Sequence, residues 1–177
     1  MNDELIHRIQ KITMLLCDVD GVLTNGEIIL GTHAQEFKQF NVQDGMGITL
    51  AREGGLKTGI ITGRESEAVK RRAKELKFDI ISQGAKDKLE VLNEIKNNFN
   101  ITYENVCYIG DDLLDMNIMR KSGVAACPVN ARKEVKELSD IITEHQGGKG
   151  AVRELVEIIL KTQNKWQSLV NNYREDT

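Results

Sequence analysis

Aromatic residues are few here: phenylalanine, tyrosine and tryptophan make up 5% of 177 residues, and there is a single proline. A surface that stacks successive bases has little to be built from. Neither sign of charge dominates, with 24 basic against 27 acidic residues and a net charge of −3. Together with a pI of about 5.7, this balance argues against nucleic acid as the main partner. It does not exclude small anions, because local basic clusters can work inside an acidic whole. Long apolar runs are missing too. The longest are strand-sized, far below the ~20 residues of a membrane span, so no membrane partner is expected. The opening stretch "MNDELIHRIQKI" is polar and is not read as a signal peptide.

The three cysteines, Cys17, Cys107 and Cys127, lie far apart, each inside an apolar run. An odd count in such settings points to reduced, buried thiols and a cytoplasmic protein. The length suits one domain that buries its apolar surface without disulfide or metal staples.

Against these absences stands a regular rhythm. Short apolar runs, "ITMLLCDV", "KTGIIT", "FDIIS", "NVCYIG", "GVAAC" and "DIIT", alternate with helical patterns. Strand–helix alternation predicts an α/β fold with a doubly wound parallel sheet and right-handed crossovers. Ligands of such sheets bind beyond the carboxyl ends of the strands. The polar clusters "DVDG", "TGR" and "GDD" fall at three of those ends, so segments distant in sequence converge on one crevice.

One stretch breaks the rhythm. "GEIILGTHAQEFKQFNVQDG" alternates apolar and polar residues around Gly31-Thr32, which predicts a β-hairpin flap over about 27–40. The expected organisation is one domain over 1–177. Its core spans about 12–165, the last core helix runs over about 149–165, and a polar tail of loose order covers 166–177.

Asp18 and Asp20 end the first strand. Burying two unpaired carboxylates is costly, and a hard cation offsets that cost: Mg²⁺ takes oxygen ligands, commonly one or two carboxylates plus a substrate phosphate. The bland alternative is a turn capped by Asp. Asp111 and Asp112 open a helix after Gly110, where ordinary N-capping competes with ligation; Asp115, one turn on, could brace the loop. Thr62 with Gly63 offers a hydroxyl and an amide to phosphoryl oxygens. Lys88 sits near a helix start, unfavourable for a cation unless an anion is close. Together these groups suit phosphoryl transfer. A carboxylate attacks phosphorus, cations neutralise the equatorial oxygens, and a second acid manages the proton. On this reading Asp18 attacks and Asp20 shuttles the proton.

"DVDGVLT", "ITGR", "KDK" and "GDDLLD", in this order, resemble the four motifs of the haloacid dehalogenase superfamily of phosphatases. The resemblance implies a Rossmann-like core with Asp18 as nucleophile and Asp20 as general acid/base. Thr62 would bind phosphate and Lys88 would neutralise the phosphoryl group. Asp18, the Asp20 carbonyl and Asp111 would hold Mg²⁺, with Asp112 in support. "FNVQDGMGI" and the late "HQGGKGAVREL" narrow the likeness to the 3-deoxy-D-manno-octulosonate 8-phosphate phosphatases. The likeness runs over about residues 12–163. Lys86 lies close to Lys88 in sequence; Lys88 is chosen by its distance from Gly84.

About 40 residues separate Asp20 from Thr62 and about 25 separate Thr62 from Lys88, too few for a separate cap domain. Members of the resembling family assemble as tetramers, in which flaps pair and a neighbour's C-terminal segment helps close the site. Here that implies a homotetramer using the hairpin and "GGKGAVRE", with Lys149 and Arg153 as candidate anion contacts. The bland alternative for that segment is a flexible glycine turn. Arg64 stands where a sugar-acid carboxylate could be met. It favours the eight-carbon substrate over the nine-carbon deaminoneuraminate 9-phosphate, whose enzymes resemble a pattern with Glu at this place. The basic run "VKRRAKELK" reads first as a solvated helix face above an inward stripe of Val69, Ala73 and Leu76.

Two other classes compete. A phosphoacceptor receiver domain also combines such a sheet with an Asp pair, Thr and Lys. There, however, the Asp pair closes the first strand and the acceptor Asp comes later, the reverse of the order here. A catalytically silent assembly module is the other, and no motif acid is missing to favour it.

Overall fold

All four residues of Met14–Cys17 are buried, and their side chains divide between two cores: Leu15 and Cys17 on one face of a sheet, Met14 and Leu16 on the other. Two-residue alternation with both faces apolar is the mark of a central strand covered on both sides. Each fully buried aliphatic side chain contributes about 1.5–3 kcal/mol.

A computed structural model describes residues 1–33 and 35–175. Helix α1 (Asp3–Gln10) precedes β1 (Met14–Cys17). A hairpin of β2 (Ile29–Leu30) and β3 (Glu36–Phe37) comes next, then α2 (Val42–Glu53), β4 (Lys57–Ile61), α3 (Glu67–Glu75), β5 (Ile80–Ser82) and α4 (Lys88–Phe99). After β6 (Val106–Ile109) come α5 (Met116–Lys121), β7 (Val124–Cys127), α6 (Lys133–Leu138), β8 (Ile141–Ile142), α7 (Ala151–Thr162) and α8 (Trp166–Glu175). No helix of the described residues is long and apolar enough to cross a membrane.

The six expected core strands form one parallel sheet in the order β5-β4-β1-β6-β7-β8. The chain winds outward from β1 to β5, then returns to β1's other side for β6. At that reversal the ends of β1 and β6 lie together and their loops diverge, opening a crevice. Cys17, Cys107 and Cys127 are buried and unpaired by disulfides. Cys17 belongs to the core, as its alternation with Asp18 implies.

Two expectations change. The hairpin's ladder pairs Ile29 with Phe37 and Leu30 with Glu36, with the Gly31 amide donating to the Gln35 carbonyl at 2.8 Å, and is shorter than the expected 27–40; Ala34 of that span lies outside the described residues. The tail expected to be loose is the helix α8 up to Glu175, while Asp176 and Thr177 lie outside the described residues. The reason is tertiary. Leu169 is buried in the α7-side core, the Trp166 ring takes Arg153 and Lys161 on its face at 5.5 and 5.1 Å, and the Tyr173 hydroxyl meets Glu53.

Candidate active site

Asp18 is the first residue past β1, and its amide continues the sheet by donating to the Ile109 carbonyl at 3.0 Å. The chain then turns sharply: the amides of Val22, Leu23 and Thr24 all point at the Val19 carbonyl (3.3, 2.9 and 3.0 Å). Gly21 makes the turn possible with φ of +92°. It also lets Asp111 in, since a Cβ there would stand 2.1 Å from Asp111 Oδ2. The acids after β1 and β6 are thereby brought into contact across the crevice.

Lys88 opens α4, whose N-cap is Asp87. Its ammonium lies 2.8 Å from Asp18 Oδ1 and 2.7 Å from Asp115 Oδ1, and it also reaches the Tyr108 hydroxyl at 3.3 Å. A lysine at a helix start is therefore satisfied by two carboxylates. Lys86 is exposed, whereas Lys88 is buried against Asp18 and Asp115. Burial alone would lower the Lys88 pKa, but Asp18 and Asp115 outweigh it and hold it raised.

Asp18, Asp111 and Asp115 bring carboxylate oxygens within 4.8 Å of one another. The three are not equivalent. Asp115 Oδ1 receives Lys88 and the Tyr108 hydroxyl, while its Oδ2 receives the amides of Asp111 and Asp112. It is fully engaged as the brace of the loop. Asp111 Oδ1, in contrast, is buried without a hydrogen-bond partner among the described residues. Burial, then the neighbouring carboxylates, push Asp111 up to about 7; burial lifts Asp18 to about 6 against the pull of Lys88. One lysine does not offset this crowding, and an orphaned carboxylate oxygen facing two more acids is a donor set suited to Mg²⁺. Asp18 and Asp111 are the residues free to hold it. Asp112 is exposed and caps a 3-10 turn at Leu113–Asp115.

Asp20 meets the flap. Its carboxylate is paired with Lys38, whose side chain is only 1% exposed, and lies 3.7 Å from Arg64 Nε. Glu36 completes the set, 3.3 Å from Lys38 and 3.0 Å from Arg64. Two acids and two bases thus alternate in a ring that ties β3 to the loops after β1 and β4. Sequence reasoning offered Arg64 as a contact for a sugar-acid carboxylate but missed Lys38 and Glu36. The available signal was their spacing on the hairpin, which puts both on one face opposite Phe37.

Thr62, buried, follows β4, the neighbour of β1, and its Oγ1 accepts from the Arg64 amide at 3.4 Å; Gly63 lies between them. Glu36, Phe37 and Lys38 line a cleft of about 660 Å³ with Glu67, Ala68, Lys70, Arg71 and Lys74 of α3. Val69 and Ala73 face inward as expected, and the basic run borders this cleft.

Lys149 and Arg153 are not brought to the acids. Lys149 is exposed on its turn. Arg153 Nε bonds Glu157 at 2.9 Å and its guanidinium covers Trp166, because the first turn of α7 directs that side chain toward α8. The glycines before them are no flexible turn. Gly148 donates to Val22 at 2.8 Å, Gly147 donates to Asn130 Oδ1, and Glu154 receives the amides of Glu144 and His145. Within one chain, this segment packs on the loop that follows β1.

The chain is similar to several known proteins. A family model described as haloacid dehalogenase-like hydrolase matches residues 78–155. The 3-deoxy-D-manno-octulosonate 8-phosphate phosphatase KdsC of Escherichia coli strain K12 is 37% identical over 162 residues, covering 92% of this chain and 86% of its own length. The Yersinia pestis enzyme of the same name is 37% identical over 163 residues, 92% of this chain and 87% of that one. Among solved structures, a 3-deoxy-D-manno-octulosonate 8-phosphate phosphatase from Moraxella catarrhalis, in complex with magnesium ion, phosphate ion and a KDO molecule, is 39% identical. It superposes with a TM-score of 0.95, covering 98% of this chain and 99% of that one.

Proposed function

Since the chain belongs to the 3-deoxy-D-manno-octulosonate 8-phosphate phosphatases of the haloacid dehalogenase superfamily, we infer that it hydrolyses that sugar-acid phosphate to the free sugar acid and phosphate. The enzyme is a Mg²⁺-dependent phosphoric monoester hydrolase. The observation that carries this reading onto the chain's own residues is the pairing of Asp18 with Lys88 beside the orphaned Asp111 carboxylate.

Asp18 is the nucleophile. Lys88 holds its Oδ1 and keeps the carboxylate ionised against the cost of burial, leaving the other oxygen to attack phosphorus. The bond from phosphorus to the sugar oxygen breaks, and Asp20 gives its proton to that oxygen. Asp20 then takes a proton from water, the hydroxide attacks phosphorus, and phosphate leaves as Asp18 is regenerated. Mg²⁺, held by Asp18, Asp111 and the Asp20 carbonyl, would supply positive charge opposite the phosphoryl oxygens. Lys88 and the Thr62 hydroxyl offset the rest of that charge.

The cleft between flap and α3 receives the sugar acid, within the range of small-molecule sites. Arg64 meets its carboxylate by exchanging Glu36 for the substrate. The enzyme works as a homotetramer, a reading supported by Ile28, Ile29, Leu30 and Phe37, which leave an apolar flap surface exposed. It works in the cytoplasm, a reading supported by three cysteines kept as free thiols.

Phosphate release with Mg²⁺ from the octulosonate 8-phosphate and from deaminoneuraminate 9-phosphate tests the substrate. Preference for the first is expected. Preference for the second would leave the chemistry standing and overturn the role given to Arg64. Sedimentation of the purified protein tests the tetramer.

A further inference from the structure

Asp44, in the first turn of α2, has no part in the chemistry above, yet it is 1% exposed. Its carboxylate is spent on a distant helix. Oδ2 accepts from the Gly150 amide at 3.1 Å and Oδ1 from the Arg153 amide at 3.0 Å. These amides begin α7, where Gly150 stands at the N-cap and offers no side chain of its own. Asp44 thus supplies, across 106 residues, the acceptor that a Ser or Asp at the cap would normally provide. It can approach because α2 and α7 touch at the backbone: a Cβ on Gly47 would stand 2.9 Å from Arg153 Cα.

What Asp44 anchors is the turn that leans on the catalytic loop. A Cβ on Gly147 would stand 1.7 Å from the Gly21 carbonyl oxygen, and one on Gly148 would stand 2.5 Å from the Thr24 carbonyl carbon. The contact is backbone on backbone, and it falls on the residues that directly follow Asp20. Asn130 and Glu154 hold the same turn from the β7 and α7 sides; Asp44 ties it to α2, the element that follows the flap.

We propose that Asp44 is a positioning residue for the hydrolysis: by capping α7 it holds Gly147 and Gly148 against residues 21–25 and so keeps Asp20 aimed at the leaving oxygen. The proposal rests on Asp20 being the acid/base. Misplacement of a catalytic group by about 1 Å costs on the order of 100-fold in rate, so a loosened turn is felt at the proton-transfer step and little in binding.

The test compares single-turnover release of two leaving groups, the first half of the reaction alone, in Asp44→Ala, Asp44→Asn and Asp20→Asn, because Asp20 activates water in the second half whatever group has left. The sugar alkoxide needs a proton; p-nitrophenolate does not. Asp44→Ala is expected to lose about 10–100-fold in the single-turnover rate of alcohol release from the sugar phosphate, with half-saturation within about threefold. On p-nitrophenyl phosphate it should lose less than about threefold, and Asp44→Asn, which keeps one acceptor, should recover part of the difference. Equal losses of the single-turnover rate on both substrates, or an unchanged rate per folded molecule, overturn the proposal. Should Asp44→Ala not fold, Gly148→Ala displaces the loop directly and must show the same split; equal losses there overturn it too. A split in Asp20→Asn without one in Asp44→Ala overturns the positioning role alone. No split in Asp20→Asn overturns the acid/base reading, and this proposal with it.

Discussion

The ammonium of Lys88 stands 2.8 Å from Oδ1 of Asp18, and both side chains are almost withdrawn from water, at 7% and 11% exposure. A buried pair of this kind contributes little net stability when intact, because desolvation cancels much of the attraction; removing one partner is what costs. On the proposed mechanism the pair serves the reaction by keeping the Asp18 carboxylate charged, and it makes Lys88 hard to replace.

Lys88→Met should therefore lose activity and stability together. Asp18, Asp111 and Asp115 would be left crowded without their cation, with a destabilisation of about 3–5 kcal/mol. Lys86→Met, at an exposed position two residues earlier, should behave as wild type in both respects. Thermal melts and phosphate release on the two variants check this. Comparable losses from both would undo the assignment of Lys88.

Asp18→Asn should reduce turnover by about 10⁴-fold or more, since the nucleophile has no substitute. The fold should survive. The amide removes a buried charge that burial already disfavours, so the metal-free melting temperature at pH 8 is expected to hold or rise. Retained turnover would refute the nucleophile.

The raised pKa values set a pH dependence of known sign. Asp18 and Asp111 titrate near 6 and 7 in the folded protein and near 3.8 when unfolded. The folded state therefore binds more protons between those values, and stability is lost as pH rises from about 4 through about 7. Asp79, Glu154 and Glu157 are lowered and act the other way, in the separate window below their ordinary values. With EDTA present, the melting temperature should fall between pH 5 and pH 8, at about 2–4 °C per kcal/mol. Mg²⁺ should restore it most at pH 8, and Asp111→Asn should flatten the slope. A metal-free protein equally stable at both pH values would contradict the crowding of these acids.

Lys38→Met tests the flap. It leaves Asp20 and Glu36 with Arg64 as their remaining partner in the ring. Loss of a charge-assisted contact of about 1.5–3 kcal/mol corresponds to about 10–150-fold in kcat/KM. Steady-state kinetics on the sugar phosphate measure it. Unaltered kcat/KM would reduce the ring to a hinge ornament with no bearing on Asp20.

Much of this molecule was legible in the chain alone. The six core strands announce themselves as apolar runs, and the acids Asp18 and Asp111 stand at strand ends that a parallel sheet must bring to one edge. Both signals are local: alternation of two, periodicity of 3.6, and a polar residue where an apolar run stops. They require no knowledge of partners far along the chain, and the resemblance of four motifs added the roles.

What depended on partners far along the chain was decided by the tertiary structure. Lys38 reads as one polar residue on an alternating hairpin until register and flap placement carry it to Asp20. Asp44 reads as an ordinary first-turn acid until α7 arrives with amides to be capped. Gly147 and Gly148 read as part of a site-closing segment or, more blandly, as a flexible turn, yet they are small because another backbone occupies the space. The polar-looking tail is a helix because Leu169 and Trp166 find partners on α7. In each case the energy lies in a contact between segments, and only packing settles which segments meet.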